Sequence, residues 1–374
     1  MRSLNRVEVS RSALIHNFGI CRQWADGAAI MPLVKADGYG HGMIDCARVF
    51  AEQGAAAFGV AEAIEGVRLR AAGITQPILV LAGVIPQTLP TMVEADLTPV
   101  VVDAAIVPEL SRLAGLQRRE IGVHVKLDAG MGRQGVLPED FVDLVRTVRG
   151  APHLRLDGVM AHFPCSDEPQ SANSAQVLRT FTATTASLAA LTGGGCCLHL
   201  ANSGGLFYVA GARLDMVRPG IALYGYYPDG ETGRAAAAPP LLRPAMRFAT
   251  RIIQVRRVPA GSGLGYSHLF TTSRPSTIAV LPVGYDDGYL RKLSNCAQVL
   301  IHGRRVPTVG RISMNLTLVD VTGIDGVQVG DEAVLLGRQG EETITADEIA
   351  AWMETISYEV LCLFGKLNDR EMID

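Results

Sequence analysis

The segment Val34-Lys35-Ala36-Asp37-Gly38-Tyr39-Gly40-His41-Gly42 sets one lysine at the end of an apolar run, just before three glycines in five positions. A lysine desolvated at such a strand end loses basicity and can form an imine with an aldehyde cofactor. The glycines let the backbone bend closely around a ligand. For a lone lysine, a side chain snorkelling to solvent would be the commoner arrangement. A second segment, Lys126-Leu127-Asp128-Ala129-Gly130-Met131-Gly132-Arg133-Gln134-Gly135, carries an arginine suited to planar hydrogen bonds with a cofactor oxygen or a carboxylate. Lys126 would lie inside a strand, where it needs a partner or a modification. A rim ion pair with Asp128 is the simpler reading.

Three further strand ends carry polar groups: His162 in Met160-Ala161-His162-Phe163, the run His199-Leu200-Ala201-Asn202-Ser203-Gly204-Gly205, and Arg218-Pro219-Gly220-Ile221. Ser203, Gly204 and the amides near Gly220 and Ile221 suit a phosphate. Each histidine alone is more often a satisfied core residue. Five strand ends with cofactor-capable groups are hard to assign to chance. Towards the C-terminus, Gly263-Leu264-Gly265-Tyr266-Ser267, Val283-Gly284-Tyr285-Asp286-Asp287-Gly288-Tyr289 and Val309-Gly310-Arg311-Ile312-Ser313-Met314-Asn315 read by themselves as three β-turns with exposed tyrosines.

The elements that must position these groups follow from the apolar pattern. Eight continuous apolar runs, at 30–36, 56–61, 77–83, 97–103, 121–127, 156–163, 197–202 and 216–224, suit parallel strands covered on both faces. Helical stretches at 43–53, 61–72 and 172–191 lie between them, and 12–24 could close the ring. This alternation predicts an α/β fold, a (β/α)8 TIM-type barrel. A doubly wound sheet is disfavoured, because no G-x-G-x-x-G follows the first strand. Residues 230–240, small and charged with a Pro pair, read as a linker. Strand patterns at 248–258, 277–283, 299–309, 312–321 and 333–336, with one helix at 346–353, predict a C-terminal mostly-β domain. The domains are therefore expected at 1–235 and 236–374.

Of the 374 residues 48% are hydrophobic and 19% charged, with a formal net charge of −3. That is ordinary globular composition, with nothing recommending nucleic acid or a membrane surface. No targeting or membrane-spanning run is visible, which points to the cytoplasm. Seven cysteines without a C-x-x-C pair argue against a disulfide framework or a zinc site, so no metal is expected.

Together these segments resemble the alanine racemase family. The resemblance runs from Val7-Glu8-Val9 and His16-Asn17 to Ser357-Tyr358-Glu359-Val360. The most specific pieces are V-K-A-x-x-Y-G-H-G at 34–42 and K-L-D-x-G-M-G-R at 126–133. The resemblance implies pyridoxal 5′-phosphate (PLP) held by Lys35 as a Schiff base, with Lys35 one catalytic base. Tyr266, reached from the partner of a homodimer, is the second. It implies that Tyr39, Ser203, Gly220 and Ile221 hold the phosphate, with Asn202 of the A-N-S segment also in the cofactor set. Arg218 faces the pyridine nitrogen, supported by His199. Arg133 contacts the phenolic oxygen and the substrate carboxylate side, and His162 lies near the ring. Met314 offers its backbone amide to the substrate, Tyr285 narrows the access channel, and Lys126 is a position of carbamylation. The expected activity is interconversion of L- and D-alanine, supplying D-alanine for peptidoglycan.

Ala129, Ser267, Asn315 and the ending Gly365–Arg370 depart from the common pattern. Asn315 and Lys366 bear on substrate choice, leaving a serine or broader racemase as an alternative. A non-catalytic PLP-binding protein is the alternative of another class. Such proteins are single-domain barrels, and the β domain bearing Tyr266 weighs against it. An amino-acid decarboxylase is disfavoured by the 126–133 segment and by Arg218 in place of an acidic partner.

Overall fold

A computed structural model describes residues 3–230 and 241–374. It divides into two compact units, one of Leu14–Gly38 and Met43–Arg243, the other of Met1–Ala13, Tyr39–Gly42 and Pro244–Asp374. The boundary expected at 235/236, and most of the linker expected at 230–240, fall on residues 231–240, outside the described residues.

The first unit is the barrel. Strand β1 (Arg6–Ser10) precedes the helix Arg11–Ala25; β2 (Ala29–Ile30) then begins the ring. It continues through β3 (Phe58–Val60), β4 (Ile78–Val80), β5 (Thr98–Val101), β6 (Ile121–Lys126), β7 (Leu154–Met160), β8 (Cys197–His199) and β9 (Met216–Val217). Strands β3 to β8 pair in parallel in chain order, and β2 pairs in parallel with β9. The two seams close through backbone bonds, Val34 N–H to Gly59 O at 3.0 Å and Arg218 N–H to Ala201 O at 2.8 Å. Eight short, apolar parallel strands thus form a closed barrel, which leaves no sheet edge.

Every expected barrel strand is present, and each is shorter than the apolar run that announced it. The run 30–36 forms a ladder at Ala29–Ile30 and a bridge from Leu33 to Gly59, and beyond them Met31 N–H bonds Val217 O (2.9 Å) and Leu33 N–H bonds Pro219 O (3.0 Å). The run 216–224 is a strand at Met216–Val217, then a short helical turn at Ile221–Tyr224. Burial makes the whole run apolar, while only part of it forms a regular ladder. Between β6 and β7 the register shifts at Val123/His124, setting His124 opposite Gly158. A side chain at Gly158 would lie 2.4 Å from the His124 ring. This glycine and the adjoining irregularity make room for an imidazole inside the barrel.

The second unit is mostly β. Its strands are β10 (Met246–Arg251), β11 (Gln254–Val258), β12 (Gly263–Leu264), β13 (Phe270–Thr271), β14 (Ser276–Leu281), β15 (Gln298–Ile301), β16 (Arg304–Pro307), β17 (Thr317–Asp320), β18 (Glu332–Gln339), β19 (Glu342–Ile344) and β20 (Arg370–Ile373). The main sheet runs β16-β15-β18-β10-β1-β20, and β11-β14-β17 form a second one. Strand β1 lies between β10 and β20. This corrects the expectation that the barrel unit begins at residue 1: Val7 and Val9, both buried, alternate into the C-terminal sheet. The run 248–258 is two strands of different sheets, and 299–309 is a hairpin turning at His302-Gly303, with φ of 52° and 70°. A helix at Ser357–Leu367 follows the expected one at Ala346–Met353.

In the barrel unit, Asn17 is fully buried on the first helix. Its amide donates to Leu223 O (3.1 Å) and Arg243 O (2.8 Å) and accepts from Arg243 N–H (2.8 Å). Removing it strands three backbone groups. Asn17→Ala is expected to cost about 2–4 kcal/mol in urea unfolding; a loss below about 0.5 kcal/mol would mean that water satisfies these groups instead.

Candidate active site

The carboxyl ends of the barrel strands enclose a cavity of about 500 Å3. Lys35, Lys126, Arg133, His162 and Arg218 line it, with Gln134 and apolar walls that include Leu33, Leu81 and Met160. Five of the residues singled out in the sequence are therefore brought together. Four of them are cationic types, and among the described residues no carboxylate lines the cavity.

Arg218 is the most constrained of these side chains. It is 1% exposed. Its Nη2 donates to Ala161 O (2.7 Å) and Leu200 O (3.1 Å), and Nη1 meets His199 Nδ1 at 3.0 Å. Burial lowers its pKa to about 10, so it stays charged at neutral pH. A guanidinium only donates, so His199 Nδ1 must accept and the His199 proton sits on Nε2. That nitrogen lies 2.8 Å from His124 Nδ1, which must accept in turn. Both rings are held neutral. Burial first, then the Arg218 charge and His124, hold His199 well below the usual imidazole range. Burial above all lowers His124 to about 4. His162 approaches Arg218 Nη2 at 3.5 Å and is likewise depressed, by burial and then by the surrounding cations.

His124 was not anticipated. The available signal was its place two residues before Lys126 in one strand, which puts both on the same face. The partner of Lys126 was also missed: Nζ donates to Gln134 Oε1 at 2.7 Å. Asp128, read as a candidate ion-pair partner, instead accepts the N–H groups of Gly130, Met131 and Gly132 on Oδ1 and of Arg133 on Oδ2, at 2.8–3.2 Å. Burial raises its pKa, but these amide bonds outweigh burial and lower it. Asp128 therefore shapes the loop that carries Arg133. Burial, then Arg133, Arg218 and Lys35, lower Lys126 to about 8.

Lys35 is half-buried and opens a turn of left-handed helix, with φ of 54°, 57°, 64° and 52° at Ala36, Asp37, Gly38 and Tyr39. Each non-glycine residue there costs roughly 1–2 kcal/mol. At the phosphate candidates, Ser203 Oγ accepts Gly220 N–H (2.9 Å) and Ala222 N–H (3.3 Å), which leaves the hydroxyl hydrogen to donate. Ile221 is buried beside them. Asn202 Oδ1 accepts from Gly205 N–H (2.9 Å) and Ser166 Oγ (2.8 Å), so its side chain braces this loop. The chemistry of the donor set fits PLP: an amine for its aldehyde, a hydroxyl among buried amides for its phosphate, and cations for its anionic oxygens.

The remaining candidates belong to the second unit. Tyr39 is buried there against Tyr358, with ring centroids 6.0 Å apart. Tyr266 is 69% exposed and shares a depression of about 390 Å3 with Tyr285, Arg291, Arg311, Ile312 and Ser313. Tyr285 N–H bonds Ser313 O (3.2 Å) and Asp286 N–H bonds Met314 O (3.0 Å), so the Tyr285 and Met314 loops are knitted together. This crossing requires Gly284, where a Cβ would sit 2.2 Å from Ser313 O. Asn315 Nδ2 donates to Asp286 Oδ2 (3.3 Å) at the surface. Among the described residues, no cluster of three or more His, Cys, Asp or Glu could hold a metal ion.

Comparison with known proteins agrees with these features. Residues 9–228 match the family profile "Alanine racemase, N-terminal domain", and residues 245–372 match "Alanine racemase, C-terminal domain". An alanine racemase of Syntrophobacter fumaroxidans is 42% identical over 361 residues, 96% of this chain and 95% of that protein. A crystal structure of alanine racemase from Bacillus anthracis with bound L-Ala-P superposes with a TM-score of 0.92 at 31% identity, over 100% of this chain and 96% of that one. One from Bartonella henselae with covalently bound pyridoxal phosphate gives 0.88 at 27% identity, over 99% of each. A chain matched end to end in both domains is no single-domain PLP carrier, and this protein belongs to the alanine racemase family of PLP-dependent racemases.

Proposed function

We propose that this protein interconverts L- and D-alanine, with Lys35 carrying the cofactor and moving a proton on one face of the substrate. In this reading Tyr266 of a second copy of the chain moves a proton on the other. The observation that carries the reading is a cavity lined, among the described residues, by four cationic side chains and no carboxylate, with Lys35 one of the four. Such a cavity favours anionic occupants: a phosphate, a phenolate and an amino-acid carboxylate.

PLP, when bound, supplies the electron sink that accepts the charge left by the departing α-proton. The chain supplies the rest. Ser203, Gly220, Ile221, Tyr39 and Asn202 form or brace the phosphate site. Arg133 binds the phenolic oxygen and the carboxylate side, and Met314 offers its amide. Tyr285 restricts access. Arg218 keeps a cation at the ring nitrogen, where it opposes a second positive charge and so limits side reactions. Its neutral histidine partners add no charge of their own. Racemisation needs an acid–base group on each face, and a lysine and a tyrosine from different loops can serve. The exposure of Tyr266, Tyr285, Met314 and Leu316 on one unit supports a homodimer in which a second copy covers them. Among the described residues no helix is long and apolar enough to cross a membrane. A cytoplasmic supply of D-alanine for peptidoglycan is part of this proposal.

Incubation of the PLP-loaded protein with a panel of L-amino acids in deuterium oxide is expected to give α-deuteration and D-product with alanine. Exchange with serine or a broad set instead would favour the wider-specificity alternative. Lys35→Ala should abolish the absorbance of lysine-bound cofactor near the visible edge together with turnover. Tyr266→Phe should slow proton removal from one enantiomer roughly 10²–10⁴-fold more than from the other; symmetric loss would refute two bases. Mixing the two variants tests the shared site. Half of the randomly formed dimers pair one chain of each kind, and each holds one intact site. About a quarter of the parental activity should therefore return, and no return would exclude a shared site.

Lys126 is proposed to take up carbon dioxide: its neutral amine attacks the carbon, one proton leaves, and a carbamate anion remains. With a pKa of about 8, the neutral fraction grows as pH rises from 7 to 9. A carbamate signal in 13C-bicarbonate NMR should grow over that window and be missing in Lys126→Ala. A signal indifferent to pH or to the substitution would refute it.

A further inference from the structure

The left-handed turn after Lys35 is held at three points. Gly38 N–H donates to Val34 O at 2.8 Å, and Asp37 Oδ1 accepts Met43 N–H at 2.9 Å. At the start of the turn, Ala36 N–H, the amide that directly follows Lys35, donates to Glu65 Oε1 at 2.8 Å. Glu65 comes from the next barrel segment, at the beginning of the helix Ala63–Ala71 that follows β3. Its other oxygen, Oε2, accepts Ala61 N–H at 2.7 Å and Glu62 N–H at 3.2 Å. One carboxylate therefore ties two neighbouring strand-end loops together. Lys35 and Ala61, one on each loop, both line the cavity.

We infer that Glu65 is a positioning residue for Lys35: by accepting the Ala36 amide it fixes the peptide from which the lysine amine projects, and with it the face the amine serves. The inference rests on the reading of Lys35 as the cofactor-bearing base. A glutamate in the first turn of a helix often accepts the amide of the residue before the helix, which stabilises the helix alone. Oε2 meets that need here. Oε1 is directed instead to a loop 29 residues upstream. Both oxygens must accept, so the side chain has to be a carboxylate. A glutamine has the same size and can still cap its helix with its one oxygen. Its NH2 group would then face the Ala36 N–H, donor against donor.

The test compares Glu65→Gln with Gly73→Ala. Gly73, at φ +90° with open space around it, ends the same helix, so an alanine there strains the helix without touching the lysine turn. Hydrogen exchange at the Ala36 amide, followed with and without PLP, should speed up about tenfold or more in Glu65→Gln and stay unchanged in Gly73→Ala. In the PLP-loaded proteins, α-hydrogen exchange should fall about tenfold more for one alanine enantiomer than for the other in Glu65→Gln only, because Lys35 serves one face. Glu65→Ala should behave alike and replaces the glutamine variant if that one folds poorly. Parental protection at Ala36, or equal loss for both enantiomers as in a general loosening of the helix, would overturn the inference. Borohydride trapping of PLP on Lys35 of the parent protein separates the two claims: if another residue is trapped, the assignment of Lys35 fails and this inference with it.

Discussion

Concentrated positive charge, with no carboxylate among the described residues that line the cavity to balance it, is the constraint around which the barrel mouth is built. Lys35, Lys126, Arg133 and Arg218 border one cavity. An isolated buried ion costs several kcal/mol even after relaxation. The structure meets that cost at Arg218 with two backbone carbonyls and a neutral imidazole rather than an anion. The proposed counter-charges are the anionic groups of a bound ligand: phosphate, phenolate and carboxylate. The same crowding depresses Lys126 and His162, so the site tunes its own groups by mutual repulsion as well as by burial.

Carboxylates are nevertheless close by, one layer away and facing backbone. Asp128 gathers four amides to shape the loop of Arg133, Glu65 takes the amide after Lys35, and Asp37 takes that of Met43. Negative charge placed on backbone N–H groups rigidifies loops that would otherwise relax, and it leaves the cavity wall cationic. The left-handed turn at 36–39 persists because these bonds over-determine it.

The histidine pair shows how direction is built into such a network. Arg218 can only donate, so His199 and then His124 must each accept on Nδ1. The chain of donors runs one way, and a glycine on the neighbouring strand makes the space it needs. In the other unit, Tyr285 and Met314 sit on loops joined by backbone bonds, and both side chains, like that of Tyr266, are exposed.

The sequence by itself determined the barrel, the β-rich C-terminal region and five of the side chains that line the cavity. Strand interiors must be apolar, and a polar residue at the end of such a run has to face the mouth. Strand ends were overestimated for the same reason: burial, not pairing, makes a run apolar, as 216–224 illustrates. The single run at 299–309 hid a hairpin, because His302-Gly303 interrupts it with only two residues. Only the tertiary structure decided what lies beneath the site. Glu65, Gln134 and His124 are ordinary residues in their own segments, and their roles come from partners 29, 8 and 75 positions away. Asp128 was in view, but its carboxylate turned to backbone amides, a choice set by loop geometry. Strand β1 joins the C-terminal sheet because its partners, β10 and β20, lie more than 200 residues further along the chain, beyond the reach of local pattern. Local periodicity records whether a residue is buried; it does not record against what.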